Sequence, residues 1–373
     1  MTRADDGDEV ATFYDRHPYP PPVGDLGRPS QAWLAQRRRV DHHRIWPDRP
    51  VRDAEDILIA GCGTSQAARW ALRYPQARVV AIDVSRTSIE QTRRLAERHN
   101  LRNLELVRLP IEEVDGLGGS FDHIVCTGAL HHLADPEAGL LSLRRVLATG
   151  GALDAMVYAR YGRTGVAMIQ QYCRMLGVRP EPDEIDALVA SLRELPLGHP
   201  LSHLLRQTRD FADDDALADA LLNPRERAYS VPEVFALLRA AGLRFGRWTL
   251  QAPYLPQCGA LSALLHGPRI AALAPADQYA ALELFRGTMV RHSFIAFRDD
   301  EPAVDVRFDD DRSRDYIPIR TTTAVAVEDR LPPGAAAALL NRAHTFTDLV
   351  LFATSEQKRA FDLIDGRRAI AEI

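Results

Sequence analysis

The feature that most constrains the fold is the alternation of short apolar runs with stretches of helical periodicity between residues 56 and 158. Each run is long enough for one strand, and each intervening stretch is long enough for one helix. Strands joined in this way form a parallel sheet with right-handed crossovers and helices on both faces. The sequence therefore predicts a doubly wound, Rossmann-like α/β fold. The predicted strands are "DILIAG", "ARVVAID", "LELVRLP", "FDHIVCTG" and "GALDAMVYA", with helices over 66–73, 86–99 and 137–147.

The segments outside this region suggest further parts. Residues 12–29, "TFYDRHPYPPPVGDLGRP", are rich in proline, which predicts an ordered arm or lid without a regular helix. Ser30 is a suitable N-cap for a helix that ends before Pro47. Residues 165–222 carry helical periodicity and no convincing strand, which indicates a helical insertion.

Five segments are therefore predicted. They are an N-terminal arm and helix (1–49), a core that contains the predicted sheet (50–164), the helical insertion (165–225), the completion of the core (226–300) and a short C-terminal appendage (301–373). The end of the appendage resembles the start of a small winged-helix-like module. Either this module is vestigial or a partner chain completes it, and the second alternative predicts a homodimer.

Composition narrows the classes of partner. The formal net charge is -5, so bulk charge gives no indication of nucleic-acid binding. The N-terminus is acidic and no uninterrupted apolar run of about 18 residues occurs, so neither export nor membrane spanning is expected and the cytoplasm is the default. Four cysteines lie far apart without CxxC spacing, which favours neither a disulfide framework nor a structural zinc site.

A glycine loop follows the first predicted strand, in "ILIAGCGTSQAA" (57–68). Gly61 and Gly63 would let the backbone approach a ligand, and the helix that follows would point its N–H groups at it. The next strand ends at Asp83, 22 positions after Gly61, where a carboxylate can accept both hydroxyls of a ribose. A nucleoside ligand is indicated. A nicotinamide dinucleotide prefers a third glycine where this chain has Gln66.

Five motifs carry a resemblance to a known family. The segments "ILIAGCGTSQ", "VVAIDVS", "LPIEEV", "FDHIVCTGALHHLADP" and "VLATGG" occur in the order and spacing found in class I S-adenosylmethionine-dependent methyltransferases. The resemblance covers roughly residues 50 to 160, and "SVPEVFALLRAAGL" and "HSFIAF" match the closing elements of that fold. The finer pattern, with "HPYP" and "HRIWPDR", resembles an actinobacterial subgroup of uncharacterised or protein-directed members.

The resemblance implies a set of cofactor-binding residues. Gly61 and Gly63 would approach the methionine and ribose portions, and Asp83 would bind the ribose hydroxyls. The adenine would be bordered by Pro110, Ile111 and Glu112, and the methionine moiety would be faced by Thr127 and Gly128. The neighbouring residues Cys62, Thr64, Gln66 and Val84 would line the same site.

Two positions depart from the family pattern. The family usually has an acid where this chain has Ile59, and often a glycine where it has Ser65. Another part of the chain is then expected to contact the cofactor's amino group. Tyr14 in the arm is the candidate for that contact, with the alternative that the arm packs on the insertion for stability alone.

Catalytic candidates follow the fourth and fifth strands. His131 and His132 come after the fourth strand, and Tyr158 ends the fifth, at the edge where ligands of open α/β sheets bind. One histidine could act as a general base, or both could order the loop over the cofactor. A metal site with Asp135 is not favoured, because one extra carboxylate does not complete a ligand set. Cys62 and Cys126 are better explained as buried packing residues than as nucleophiles.

The sequence therefore predicts an enzyme that transfers a methyl group from S-adenosylmethionine, leaving S-adenosylhomocysteine, to an acceptor between the lid and the insertion. The acceptor is either a protein side chain, for example lysine, or a small molecule. Two other classes stay open at this point: a cofactor-binding or regulatory protein without turnover, and a nicotinamide-dependent oxidoreductase.

Overall fold

The computed structural model describes residues 8–52, 54–207, 213–303, 306, 308 and 310–373. Its strands are β1 (Asp56–Ala60), β2 (Arg78–Asp83), β3 (Leu104–Arg108), β4 (Phe121–Thr127), β5 (Leu147–Tyr158), β6 (Leu243–Trp248), β7 (Arg291–Arg298), β8 (Ala324–Val327), β9 (Ala337–Asn341) and β10 (Val350–Ala353). Its α-helices are α1 (Glu9–Arg16), α2 (Gln31–Ile45), α3 (Gln66–Arg73), α4 (Arg86–Arg98), α5 (Pro136–Arg145), α6 (Thr164–Leu176), α7 (Pro182–Arg193), α8 (Leu201–Gln207), α9 (Asp214–Leu222), α10 (Val231–Ala240), α11 (Gly267–Ala271), α12 (Pro275–Arg286) and α13 (Ser355–Leu363).

The main sheet confirms the predicted fold class. Among the described residues it has seven strands in the order β3-β2-β1-β4-β5-β7-β6. The first five strands of the chain pair in parallel, and β7 runs antiparallel to both β5 and β6. The side chains of Ile57–Ala60 in β1, an interior strand, are wholly buried, as expected where helices cover both faces. The carboxyl ends of β1, β2, β4 and β5 therefore meet at one edge.

The N-terminal arm, residues 8–28, differs from its prediction at its start. The expectation that residues 12–29 contain no regular helix is wrong for Thr12–Arg16, which belong to α1. Asp8 caps this helix by accepting a hydrogen bond from the Val10 N–H at 3.0 Å. Pro18 lies just beyond its end, so the prolines terminate the helix instead of preventing it.

The predicted helical insertion contains α6, α7, α8 and α9, and no strand occurs within its described part. These helices share a hydrophobic core of leucine, isoleucine and valine side chains. Phe13 of the arm is buried in the same core. The arm therefore contributes to the packing of the insertion, as the alternative interpretation of the arm expects.

By compactness the chain divides into two units. One comprises Met1–Arg28, Arg52–Thr249 and Tyr279–Glu301, and the other comprises Pro29–Val51, Leu250–Gln278 and Pro302–Ile373. The predicted segment 1–49 is thus split between the two units. The reason is that α2 binds the C-terminal residues.

The contacts of α2 explain that grouping. Arg37 Nη1 donates to Thr322 Oγ1 at 3.2 Å, and the guanidinium of Arg39 donates to the Gly366 carbonyl. The helix itself follows its prediction, since it begins after Ser30, whose hydroxyl caps Trp33 N.

The second of these units, which includes Pro302–Ile373, contains a second sheet that the sequence analysis does not predict. Its three strands, counted within the described residues, are antiparallel in the order β10-β9-β8. Short runs of alanine and valine, such as "AVAV" in β8, carry no clear alternation of polar and apolar residues. Across the described parts of the chain, no helix has both the length and the apolar character needed to cross a membrane.

Candidate functional site

The predicted site residues gather at the carboxyl edge of the main sheet. β1 and β4 are neighbours in the sheet, and the chain order reverses direction between them. In open α/β sheets this switch point is where ligands bind, because the loops leaving the two strands diverge and leave a crevice. The glycine loop, Asp83, Thr127 and Tyr158 all lie at ends of strands on this edge.

The glycine loop is enclosed by other parts of the chain. Gly61 and Gly63 have φ angles of +73° and +53°, which favour glycine. A Cβ at Gly61 would clash with the Cβ of Ala129, and one at Gly63 would lie 2.9 Å from the carbonyl oxygen of Tyr19. The sequence analysis assigns these glycines to close approach of a ligand. The structure adds a packing reason, because the arm itself comes up against Gly63.

The carboxylate of Asp83 lies against this loop. Its Oδ2 accepts a hydrogen bond from the N–H of Gly63, and its Oδ1 accepts one from the N–H of Ser85, each at 2.9 Å. Burial nevertheless raises the pKa of Asp83 above its usual value. Each oxygen has a second lone pair, so the carboxylate can still accept bonds from a ribose. This acceptor beside a glycine loop fits the nucleoside portion of S-adenosylmethionine.

The other loop residues have structural partners. The hydroxyl of Thr64 donates to the Pro20 carbonyl at 2.7 Å, which ties the arm to the loop. Burial raises the pKa of the Cys62 thiol well above its usual value, so Cys62 is a packing residue and not a thiolate nucleophile. Val84 offers its carbonyl to Arg108 Nε at 2.9 Å.

Gln66 and Thr127 meet across the crevice. The side-chain amide of Gln66 donates to Thr127 Oγ1 at 2.5 Å, so the first residue of α3 is bound to the last residue of β4. Gly128 follows with a φ of +88° and donates its N–H to the Met156 carbonyl. The structure therefore brings these three predicted residues together at the switch point.

The residues expected to border the adenine follow β3. Pro110 caps a short 3₁₀ helix, Ile111–Leu117, and Ile111 is buried. Partial burial raises the pKa of Glu112 above its usual value. The N–H of Leu109 donates to the carbonyl of Asp83 at 3.1 Å, which sets this segment beside the ribose-binding candidate.

Four aromatic side chains form a second group, here called the aromatic cluster: Tyr14, His131, His132 and Tyr158. The ring centroids of His131 and Tyr158 are 4.0 Å apart, and those of His131 and His132 are 4.3 Å apart. Tyr14 packs edge-on against His132 at 5.8 Å. The three predicted catalytic candidates are therefore in mutual contact, and the arm residue joins them.

The two histidines differ in their bonding. The Nδ1 of His132 lies 2.6 Å from the Arg225 carbonyl, so this nitrogen carries the proton. His131 is wholly buried, and within the described residues neither of its ring nitrogens has a hydrogen-bond partner. Burial, and the nearby His132 and Arg163, lower the pKa of His131 well below its usual value. His131 is therefore a neutral imidazole with unused hydrogen-bonding capacity.

A buried ion pair adjoins the aromatic cluster and was missed by the sequence analysis. One guanidinium nitrogen of Arg163 lies 2.9 Å from both carboxylate oxygens of Glu226, and Gln170 donates to the same carboxylate at 3.0 Å. The guanidinium carbon of Arg163 lies 3.6 Å from the ring centre of Tyr158. The pair holds Tyr158 at the end of β5.

Tyr14 is bound to the insertion. Its hydroxyl donates to Asp219 Oδ1 at 2.7 Å and accepts from Asn223 Nδ2 at 3.1 Å. Burial and Asp219 raise the pKa of Tyr14 well above its usual value. A bond from Tyr14 to the cofactor's amino group stays a prediction, because the observed donor bond is to Asp219. Across the described residues, no group of three or more histidine, cysteine or acidic side chains could hold a metal ion.

Comparison with known proteins agrees with this geometry. The family model of a methyltransferase domain matches residues 58–153. An uncharacterized protein of Synechococcus is 28% identical over 306 residues, which cover 79% of this chain and 73% of that protein. Trans-aconitate 2-methyltransferase of Deinococcus radiodurans is 34% identical over 122 residues, which cover 32% of this chain and 43% of that enzyme.

A solved structure has a similar fold. PKMT2 from Rickettsia typhi superposes with a TM-score of 0.62 over 92% of this chain, at 16% sequence identity, and it is also known in complex with AdoHcy. The match covers 66% of the rickettsial chain, so this chain spans about two thirds of that protein's length. The sequence left three functional classes open, and the comparisons support the methyltransferase over the nicotinamide-dependent oxidoreductase and the protein without turnover. The chain therefore carries a methyltransferase domain at residues 58–153, and its fold is that of the Rossmann-like methyltransferases.

Proposed function

We propose that the protein transfers a methyl group to an amine nitrogen, a lysine side chain being the first candidate, at the aromatic cluster. When bound, S-adenosylmethionine supplies a methyl group on a sulfonium, which is already a good leaving group. The chain's own task is then to align the acceptor and exclude water, and alignment of this kind supplies about 7–11 kcal/mol of a barrier.

The observation that carries the proposal is the neutral, unpartnered imidazole of His131 next to Tyr158. A neutral imidazole has one nitrogen that accepts a hydrogen bond. It can therefore orient an N–H of the acceptor and take the proton that the acceptor loses, a role worth about 10²- to 10⁴-fold in rate. His131 lies in the short 3₁₀ helix Leu130–His132 that comes shortly after β4, at the same sheet edge as Thr127 and Gly128.

Charge near the aromatic cluster favours an amine over a carboxylate. Asp219, which is 2% exposed, accepts hydrogen bonds from the neutral side chains of Tyr14 and Asn223, and neither of them supplies a cation for its carboxylate. The carboxylate of Glu226 is matched by Arg163. A carboxylate acceptor would need no base and would meet the repulsion of Asp219.

The arm and the helices α6 and α9 are proposed to enclose the acceptor. Tyr14 binds Asp219 in α9, and Arg163 precedes α6 directly. The Thr64 hydroxyl bonded to the Pro20 carbonyl holds the arm over the glycine loop. In this arrangement the arm separates both ligands from water.

The test is transfer of labelled methyl groups to bacterial proteins, followed by treatment with base. Methyl esters release their label as methanol in base, whereas N-methyl groups keep it. We expect base-stable label in wild type and none in His131→Phe, with S-adenosylhomocysteine binding retained in that variant. Base-labile label would contradict an amine acceptor, and full transfer by His131→Phe would contradict the role of His131.

A further inference from the structure

We propose that Asp15, in the N-terminal arm, is a positioning residue for the ribose-binding carboxylate of Asp83 and acts through the hydroxyl of Ser85. The inference rests on the cofactor site described above, with Asp83 as its ribose acceptor. It assigns a role in cofactor binding to a residue that lies outside the matched methyltransferase domain.

The chain of contacts begins at Asp83. One of its oxygens is held by the N–H of Ser85 at 2.9 Å. Ser85 is wholly buried, and its hydroxyl accepts a bond from Ser88 N as the cap of α4. The position of the Asp83 carboxylate therefore depends on how the backbone at Ser85 is held.

Asp15 fixes Ser85 from the arm. The hydroxyl of Ser85 donates to Asp15 Oδ1 at 2.8 Å, and the N–H of Thr87 donates to the same oxygen at 3.0 Å. The hydroxyl of Thr87 in turn donates to the Asp15 carbonyl at 3.0 Å. Three hydrogen bonds thus join one arm residue to the loop and first turn that follow β2.

These hydrogen bonds fix the position of Ser85, and through it the position of Asp83. They do not attract Asp83 directly, since the charges of Asp15 and Asp83 have the same sign. Like charges this near repel, so Asp15 cannot hold Asp83 by direct attraction. What Asp15 supplies is one oxygen that accepts two hydrogen bonds at the N-terminus of α4, where a negative group is also favoured. An asparagine can accept the same two bonds with its side-chain oxygen, whereas an alanine cannot.

The arm offers a matched control at its other end. Asp25 also anchors the arm, with Oδ2 lying 3.2 Å from Arg98 Nε near the C-terminal end of α4. Within the described part of the chain, its side chain bonds to Gly27, Arg98 and His99, and not to Ser85 or Thr87. Asp25→Ala therefore loosens the arm without removing an acceptor from the loop after β2.

The experiment is calorimetric titration of S-adenosylhomocysteine into wild type, Asp15→Ala, Asp15→Asn and Asp25→Ala, each checked by thermal unfolding without ligand. We expect the affinity of Asp15→Ala to fall about 10-fold, and those of Asp15→Asn and Asp25→Ala to stay within about 2-fold of wild type. Ser85→Ala, which keeps its backbone N–H, should lose a similar factor, and the double variant should lose no more than either single one.

Three results would overturn the proposal: wild-type affinity in Asp15→Ala, an equal loss in Asp15→Asn, or an equal loss in Asp25→Ala. If Asp15→Ala does not fold, the other two variants test the proposal: wild-type affinity in Ser85→Ala, or a large loss in Asp15→Asn, would contradict it. Failure of the underlying cofactor assignment is distinguishable, since Asp83→Ala would then bind as tightly as wild type.

Discussion

The ring of Tyr158 lies 4.0 Å from the ring of His131, centroid to centroid, and both are held by neighbours that leave the two imidazole nitrogens without partners among the described residues. A buried group with unused hydrogen-bonding capacity costs free energy in the folded protein. Such a cost is tolerated at sites where a ligand supplies the missing partner. The proposed function of His131 and the stability of the fold are therefore opposed at this pair.

His131→Phe should stabilise the protein while abolishing transfer. Phenylalanine keeps the ring contact with Tyr158 and removes two unsatisfied nitrogens, so the free energy of unfolding at pH 7 should rise by about 1–3 kcal/mol. The matched variant His132→Phe loses the bond to the Arg225 carbonyl and should destabilise the protein by a similar amount. Urea unfolding measures both; a loss of stability in His131→Phe would contradict the account.

The pH dependence of stability should change in the same variant. Burial lowers the pKa of His131 in the folded chain, whereas the unfolded chain has the ordinary value of about 6.5. Below about pH 6.5 the unfolded state therefore binds a proton that the folded state does not, so stability falls as the pH falls, by up to about 1.4 kcal/mol per pH unit. Wild type should show this extra acid sensitivity relative to His131→Phe between about pH 6.5 and 5, and parallel profiles would count against a buried neutral His131.

Breaking the buried ion pair should be costly, and removing both charges should not. Arg163→Met leaves Glu226 buried without its cation, which should cost about 3–5 kcal/mol of unfolding free energy. Adding Glu226→Met should recover most of that loss. The exposed pair of Arg145 and Asp115 is the control, since Arg145→Met should cost less than about 1 kcal/mol. Equal costs for Arg163→Met and Arg145→Met would contradict the expected penalty for leaving Glu226 buried without its cation.

Gly63→Ala should displace the arm and weaken cofactor binding. An alanine Cβ would lie 2.9 Å from the Tyr19 carbonyl, in addition to the backbone strain at positive φ. Gly119 also has a positive φ, of +79°, but a Cβ there meets nothing within 4 Å, so Gly119→Ala carries the strain alone. We expect faster hydrogen exchange in residues 13–20 and at least about 10-fold weaker S-adenosylhomocysteine binding only in Gly63→Ala. Equal effects of the two variants would contradict a role of the arm in the cofactor site.

Much of the sheet and the cofactor side of the site could be predicted because the signals are local. The parallel strands of an α/β fold are short apolar runs, and their ends converge on one edge. Asp83 and Gly63 each end or follow such a run, and they are joined by a hydrogen bond. His131 and Tyr158 follow different strands, yet the topology alone brings them to the same edge.

The rest depends on contacts between distant parts of the chain. Tyr14 and Asp219 are 205 positions apart, and Arg163 and Glu226 are 63 positions apart, with no periodic pattern to link them. The prolines of the arm indicate a segment without a regular helix, but all of them lie after α1. The helix therefore forms before the first proline and is not predicted. Asp15 showed no motif either, since its role depends on α4 packing against the arm.

The central claim is that S-adenosylmethionine binds at the edge formed by the glycine loop and Asp83, and calorimetric titration of S-adenosylhomocysteine into wild type and Asp83→Ala tests it most directly. We predict micromolar binding in wild type, at least about 100-fold weaker binding in the variant, and no response of either to NAD. No measurable binding of S-adenosylhomocysteine to the wild type, or an unchanged affinity in Asp83→Ala, would contradict the account.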